Sequence, residues 1–143
     1  MIGRPRYVFD TNAVVSALLF EHSRPSEALL RAMQRGEILL STRTLEELAD
    51  VLERDKFDRY LAGSEREEFL EAFVERAMFV EPTEEIRACR DAKDDKFLEL
   101  AVSGSADCII TGDSDLLSLN PFRGIPIVTA AHFLASIVDD PET

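Results

Sequence analysis

The stretch Tyr7-Val8-Phe9-Asp10-Thr11-Asn12 constrains the fold of this chain more than any other. Its apolar residues predict a buried β-strand, and an acid follows directly where the strand ends. An ionised carboxylate inside a protein is costly unless a cation or hydrogen-bond donors meet it. Because the carboxyl ends of parallel strands form the edge at which α/β proteins bind ligands, we expect Asp10 at such an edge.

Strands and helices alternate along the rest of the chain, which predicts a mainly parallel sheet between two layers of helices. This is a three-layer α/β/α sandwich with five strands. Pro126 predicts that the last strand lies at an edge of the sheet. Strands are predicted at 7–9, 38–40, 78–80, 108–111 and 125–128, and helices at 13–20, 23–36, 44–52, 64–74, 84–90, 91–102 and 130–138. The helix at 64–74 is predicted to open on a capping box, and the tail is expected to fray from Asp139.

Size and charge narrow the class of protein. A length of 143 residues predicts a single domain spanning 1–143. The net charge of -12 works against non-specific attraction to nucleic acid or an anionic membrane. A polyanionic substrate would therefore need metal ions, a local basic patch, or both. Cys89 and Cys108 have no metal-binding spacing, and no apolar run is long enough for a membrane span, so we expect a cytoplasmic protein with no membrane association.

Four acidic sites have the same setting, each just beyond a predicted strand or in the first turn of a predicted helix. Acids at helix N-termini are ordinary, since the helix dipole favours them, and this explains any one site. Four of them at one edge of a sheet are more typical of divalent-metal chemistry. The sites are Asp10, Glu46-Glu47, Asp91 with Asp94-Asp95, and Asp113 with Asp115.

Local pattern alone gives Glu47 a structural role. The segment Thr44-x-x-Glu47 fits a capping box, in which the glutamate only returns a hydrogen bond to the helix start. Neither Glu46 nor Glu47 falls in the apolar stripe of the predicted helix, so periodicity does not choose between them.

The pair Asp94-Asp95 is separated by helical geometry. Asp94 shares its helix face with apolar Leu98, whereas Asp95 is rotated further out and is predicted to be solvated. Asp113 directly follows a strand, where it can cap the next turn, contact a metal, or do both.

No histidine base accompanies these acids. His22 and His132 share no ligand spacing with them, and the chain has no nucleophile elbow, Walker loop or dinucleotide-binding glycine motif. Metal-activated water is therefore the most natural nucleophile.

With these motifs in order, the chain resembles a PIN domain, in the branch of VapC-like toxin components of toxin–antitoxin systems. The resemblance implies a Rossmann-like sheet, a ribonuclease that uses Mg²⁺ or Mn²⁺ to cleave single-stranded RNA, a homodimer, and a cognate antitoxin. The matching segments are Val8 to Asn12, Thr44 to Leu48, Asp94 to Ala101, Ala106 to Leu116, and Gly124 to Phe133.

The resemblance also assigns residues. The four catalytic and metal-binding acids of the family match Asp10, Glu47, Asp94 and Asp113, and Asp115 matches a further supporting metal-binding acid. Polar residues at the strand ends support them, namely Thr11, Asn12 and Thr111. Three flanking cations, Arg43, Lys93 and Lys96, are candidates for phosphate contacts, although a salt-bridged surface explains each of them as well.

Two alternatives compete with this interpretation. In a phosphatase of the haloacid dehalogenase type, Asp10 would be the nucleophile, Ser41 or Thr42 a phosphate ligand, and the loop from Gly112 to Asp115 the metal site. That chemistry requires an acid two residues after the nucleophile, and this position is Asn12 here. The second alternative is a non-catalytic RNA-binding or partner-binding module that keeps the acids as a structural ion site.

Overall fold

A computed structural model describes residues 3–137 and contains one parallel five-stranded sheet, as predicted. The strand order is β3-β2-β1-β4-β5, so the predicted edge position of the last strand is confirmed. Phe9 at the end of β1 pairs with Ile110 at the end of β4, which places Asp10 beside Thr111. The strands are β1 (Arg6–Phe9), β2 (Glu37–Leu40), β3 (Met78–Phe79), β4 (Cys108–Ile110) and β5 (Ile127–Val128).

Seven α-helices connect and flank the strands within residues 3–137. Ser23 caps the second of them, accepting a hydrogen bond from the Ser26 N–H, with Pro25 in the first turn as predicted. The helices are α1 (Thr11–Leu19), α2 (Arg24–Arg35), α3 (Thr42–Leu52), α4 (Gly63–Arg76), α5 (Asp95–Ser103), α6 (Ser114–Leu117) and α7 (Ala130–Ile137), with 3₁₀ turns at Asp55–Phe57 and Ala92–Asp94.

Alternation along the strands divides the core into two layers. Tyr7 and Phe9 pack with helices α1 to α4 and α7 on one face of the sheet. Val8 points to the opposite face and packs with α5 and α6. The three-layer α/β/α sandwich is therefore confirmed, with α1, α5 and α6 each beginning at the carboxyl edge of the sheet.

Three local predictions are wrong. Residues 84–90 are irregular and not helical, because carboxylates of Asp95 and Glu99 hold the N–H groups of that segment. Helix α4 begins at Gly63 without a side-chain cap, so Ser64 opens no capping box. Helix α1 ends at Leu19, which leaves Phe20 46% exposed and outside the predicted buried helix.

The start of α4 is fixed by a buried arginine instead of a cap. Arg66 donates to the Leu52 carbonyl at 2.6 Å and also to the Leu61 carbonyl, so its guanidinium fills the space between the end of α3 and the start of α4.

Between residues 3 and 137, the helices lack the length and apolar character that crossing a bilayer requires. The predicted fraying from Asp139 and the last residue of the predicted final helix lie outside the described residues.

Candidate active site

Asp10 lies at the end of β1 and is the N-cap of α1. Its backbone N–H donates to the Ile110 carbonyl at 3.2 Å, which ties it to the end of β4. One carboxylate oxygen accepts from the Ala13 N–H at 2.9 Å and the other accepts from the Thr111 hydroxyl. The residue is only 5% exposed. The carboxylate is therefore held in one orientation at the carboxyl edge of the sheet.

The environment of Asp10 raises its pKa above the ordinary value. Burial is the largest cause, and the nearby charges of Asp113 and Glu47 add to it. Hydrogen bonds from Thr111 and Ala13 favour the ionised carboxylate and oppose the increase. Asp10, Asp113 and Glu47 thus share one electrostatic environment.

Asp113 follows β4 and is joined to Asp10 through one hydroxyl. The Thr111 Oγ1 atom accepts from the Asp113 N–H at 3.0 Å while it donates to Asp10. Asp113 also caps α6, accepting from the Asp115 N–H at 2.7 Å. Asp115 is partly buried in the first turn of that helix. Thr111 therefore bridges Asp10 after β1 and Asp113 after β4.

Asp94 immediately precedes α5 and is partly buried. Its side chain accepts no capping hydrogen bond from the helix. Burial, followed by the charges of Asp113 and Asp91, raises the pKa of Asp94 to about 6, with Asp10 adding to the effect and Lys96 opposing it. Asp94 therefore belongs to the same acidic cluster as Asp10 and Asp113.

The adjacent acid, Asp95, has a different function, and the prediction that it is solvated is wrong. It is 8% exposed, and one carboxylate oxygen accepts from the N–H groups of Ala88 and Cys89 at 3.1 and 2.7 Å. Burial acts to raise its pKa, but these hydrogen bonds prevail, so the pKa of Asp95 is lowered. Asp95 fixes the segment before α5, and Asp94 is left to face the cluster.

Glu47 faces the cluster through a hydrogen bond and an ion pair. One carboxylate oxygen accepts from the Thr11 hydroxyl, and the other lies 2.7 Å from the Lys96 ammonium. The capping box inferred for Glu47 is wrong, since Ser41 and Thr44 form the box at the start of α3. Glu46 is exposed. Of the two adjacent glutamates, Glu47 is therefore the one that lies beside the cluster, where Thr11 holds it.

The three predicted phosphate-binding cations have different environments. Lys96 forms an ion pair with Glu47 and donates a hydrogen bond to the Lys93 carbonyl, so its charge compensates part of the negative charge of the acidic cluster. Arg43 is exposed, with its guanidinium 3.8 Å from Glu99, and Lys93 is exposed. All three line a groove of about 910 Å³ that runs beside Glu47. Lys93 therefore stays accessible to an anionic ligand. The salt-bridge alternative applies to Lys96 and also to Arg43, although the exposed guanidinium of Arg43 can still meet an anion.

The donor chemistry of the cluster fits a hard divalent cation. Carboxylate oxygens are what Mg²⁺ and Mn²⁺ prefer, and a cation would offset both the burial of these carboxylates and their repulsion, which together raise the pKa values of Asp10 and Asp94. Within residues 3–137, no three His, Cys, Asp or Glu side chains are arranged as ion ligands as they stand. Binding an ion would therefore include side-chain rotation, for which Asp94 and its uncapped carboxylate are best placed.

The hydroxyls required by the phosphatase alternative are used elsewhere. Ser41 is buried and bonds within the capping box of α3. The Thr42 hydroxyl donates to Glu81 at 2.6 Å. Neither is presented to a phosphate beside Asp10, so that alternative loses its anion ligand.

Sequence reasoning missed two contributions to this site. It assigned no role to Lys96 as the counter-ion of Glu47, and none to Asp95 and Glu99 as anchors of residues 86–89. No local pattern pointed to either contribution. Lys96 and Glu47 lie on different helices and are brought together by the tertiary fold, and the segment anchored by Asp95 and Glu99 has no regular structure.

Known proteins resemble this chain in sequence and in fold. A model described as PIN domain matches residues 6–115. An uncharacterised protein from Methanocaldococcus jannaschii is 32% identical over 116 residues, covering 80% of this chain and 74% of that protein.

Three solved structures share the fold. The structure of PAE2754 from Pyrobaculum aerophilum aligns with a TM-score of 0.62 at 14% identity, covering 93% of this chain and 89% of that one. VapBC2 from Rickettsia felis, bound to a DNA fragment from its promoter, aligns with a TM-score of 0.60 at 14% identity, covering 87% and 98%. FitAcB from Neisseria gonorrhoeae gives 0.54 at 20% identity, covering 88% and 99%. With the family match spanning most of the chain, the protein belongs to the PIN domain family.

Proposed function

We propose that this protein is a metal-dependent ribonuclease that hydrolyses single-stranded RNA. The observation that carries the proposal is the convergence of Asp10, Asp94 and Asp113 into one cluster, where burial, with a further contribution from neighbouring carboxylates, raises the pKa values of Asp10 and Asp94. Proteins hold like charges together against repulsion mainly at functional sites. Membership of a family of nucleases supports the choice of a phosphodiester as the substrate.

The residues of the site would divide the work as follows. Asp10, Glu47, Asp94 and Asp113, with Asp115 beside them, would hold one or more Mg²⁺ or Mn²⁺ ions, whose chemistry is to activate water and stabilise charge on a phosphate. Thr111 orients Asp10, and Thr11 orients Glu47. Asn12, exposed in the first turn of α1, would contact the substrate or an ordered water.

The charge of the whole chain makes a local attraction necessary. With a net charge of -12, the protein repels RNA at long range. The groove beside Glu47 is lined by six cations and six acids, so its charges balance whereas those of the whole chain do not. Its cations include Arg43, Arg54, Arg90 and Lys93. We propose that Arg43 and Lys93 contact the phosphates that flank the cleaved bond.

The biological setting we propose is that of a cytoplasmic toxin with a cognate antitoxin. The motif resemblance to VapC-like toxins supports it, as does the fold shared with VapBC2 and FitAcB. A short neighbouring reading frame whose DNA-binding product co-purifies with this chain would agree with the proposal. Growth unaffected by expression of the chain alone would argue for RNA processing instead.

The test of the activity is cleavage of a labelled, unstructured RNA by the purified protein. We expect cleavage with Mn²⁺ or Mg²⁺, none with EDTA, and none of the DNA strand of the same sequence. Asp10→Asn is the matched control, because it keeps the shape of the side chain and removes its charge. Equal cleavage by wild type and Asp10→Asn would assign the activity to a contaminant, and binding without cleavage would support the non-catalytic module.

A further inference from the structure

A second groove runs along α1 from a residue next to the acidic cluster. It has a volume of about 440 Å³ and begins at Asn12, two residues after Asp10. It follows Ser16 and Leu19 to Phe20, and its other wall is formed by Lys56, Phe57, Arg59 and Tyr60. Phe20 lies about two helical turns beyond Asn12, or about 12 Å along the helix axis.

Two aromatic side chains are exposed at the far end of this groove. Phe20 is 46% exposed and Tyr60 is 49% exposed, and their rings meet edge to face with centroids 5.6 Å apart. Large exposed aromatic rings in contact with one another are unusual on a soluble surface and mark sites of interaction. We call this pair the aromatic platform.

Cations accompany the aromatic platform. The Lys56 ammonium lies 5.1 Å from the centre of the Phe57 ring, and the Arg59 guanidinium lies 5.2 Å from that of Tyr60. Neither forms an ion pair with a carboxylate in the described part of the chain. Asp58, which lies between them in sequence, is instead paired with the buried Arg66 at 2.9 Å.

The charge of this groove is therefore opposite to that of the chain. Its lining contains Lys56 and Arg59 and no Asp or Glu, whereas the whole sequence has 28 acids and 16 bases. Aromatic rings with adjacent unpaired cations are the recurring means of holding single-stranded nucleic acid, since bases stack on the rings and phosphates meet the cations. An apolar protein partner would need the rings but not the cations.

We propose that the aromatic platform is a base-stacking subsite for single-stranded RNA that extends from the cleavage site. The inference rests on the proposed ribonuclease function and adds where the strand lies. One strand would pass from the acidic cluster over Asn12, with a base on Phe20 or Tyr60 and its phosphates near Lys56 and Arg59. Because stacking is tolerant of sequence, this subsite would give affinity with little base preference.

The chain provides its own spectroscopic reporter for the test. It contains two tyrosines and no tryptophan, and Tyr7 is buried in the core while Tyr60 is exposed. A base that stacks on Tyr60 should quench the exposed part of the tyrosine emission. We would titrate wild type with an unstructured oligouridylate in EDTA at low salt, which prevents metal-dependent cleavage, and follow both tyrosine emission and the anisotropy of a labelled strand.

We expect binding with quenching in wild type, and binding weakened by about 5- to 150-fold in Phe20→Ala and Tyr60→Ala. Tyr60→Phe should keep the affinity and lose the quenching. An oligomer of the same length without bases should bind wild type and Tyr60→Ala alike. Leu30→Ala and Phe79→Ala remove similarly exposed apolar side chains elsewhere and should bind like wild type.

The outcomes separate this proposal from the function on which it rests. If wild type cleaves RNA and both aromatic variants bind RNA as tightly as wild type, the base-stacking proposal is wrong and the proposed ribonuclease function still stands. RNA binding that is weakened in both aromatic variants, together with no cleavage by wild type in Mn²⁺, would support the aromatic platform and contradict the ribonuclease function. Unchanged RNA affinity together with a lower mass of Phe20→Ala in light scattering would make the patch a protein interface and overturn the proposal, as would failure of wild type to bind the oligomer.

Discussion

Replacing Asp94 by asparagine should stabilise the metal-free protein at neutral pH. The pKa of this carboxyl is raised from 3.8 to about 6, first by burial and then by Asp113 and Asp91. Ionisation of Asp94 is therefore less favourable in the folded protein than in the unfolded chain, so its charge lowers the free energy of unfolding. A shift of that size corresponds to about 3 kcal/mol without screening. Because the side chain is partly exposed, we expect solvent to reduce the gain to about 1 kcal/mol, or about 3 °C in melting temperature for a chain of this length.

The pH dependence identifies the cause. A carboxyl whose folded pKa is raised binds its proton more tightly in the folded state, so its relative stabilisation is present at low pH and is lost as pH rises through the folded pKa. The advantage of Asp94→Asn should therefore be absent near pH 4, grow between pH 4 and 6, and level off above pH 7. Glu46→Gln removes an exposed charge and is the matched control.

The assay is thermal melting of wild type, Asp94→Asn and Glu46→Gln in EDTA at several pH values, repeated with Mn²⁺. Metal at a hundredfold excess over its dissociation constant should stabilise wild type by about 2.7 kcal/mol, or about 9 °C, and Asp94→Asn by less. If Asp94→Asn melts below wild type at pH 7.5 in EDTA, or if its advantage is the same at pH 4, the repulsion argument is wrong.

Three further predictions concern neighbouring acids and assembly. Glu47→Gln should lower cleavage of RNA at least about tenfold while Glu46→Gln leaves it nearly unchanged; the opposite order would shift the motif by one residue. Asp95→Ala should lower the free energy of unfolding by about 1–3 kcal/mol in urea titrations, since two partly buried N–H groups lose a charged acceptor. This loss should shrink as pH falls through the lowered pKa of Asp95, and a pH-independent loss would point to packing instead. Light scattering should give a dimer mass, as the family resemblance implies, and a monomer at high micromolar concentration would remove that idea.

The strands of the sheet could be predicted because each is determined by a short segment of the sequence. Each strand is a short apolar run, and the alternation of Tyr7, Val8 and Phe9 between two cores follows from the period of a strand. The position of Asp10 follows in turn, because a strand that delivers its last residue to an edge of the sheet fixes where that residue lies. Helix spacing also favoured Asp94, and the structure gives it the charge environment of the cluster.

The errors have one physical origin, which is that hydrogen bonds between distant segments outweigh local preferences. Asp95 is where a helical wheel expects solvent, but residues 86–89 cover it because their N–H groups need acceptors. Thr44 and Glu47 have the spacing of a capping box, but Ser41 and Thr44 satisfy the helix start first. This frees Glu47 to reach Thr11 from another element. Glu47 and Thr11 are 36 residues apart, and Asp95 is separated from Ala88 and Cys89 by seven and six residues, in a segment that a helical wheel of α5 does not include.

The four acids differ in what holds them, and this difference bears on how the site would load a cation. Asp10 and Asp113 accept hydrogen bonds from backbone N–H groups that also begin helices, so their positions are part of the fold. Glu47 is held by the Lys96 ammonium at 2.7 Å, a contact that one lysine rotamer can break. Glu47 would therefore be the acid whose present partner, Lys96, shares its carboxylate with a cation held by Asp10 and Asp113. The charge that a cation would supply to Glu47 is now supplied in part by the Lys96 ammonium.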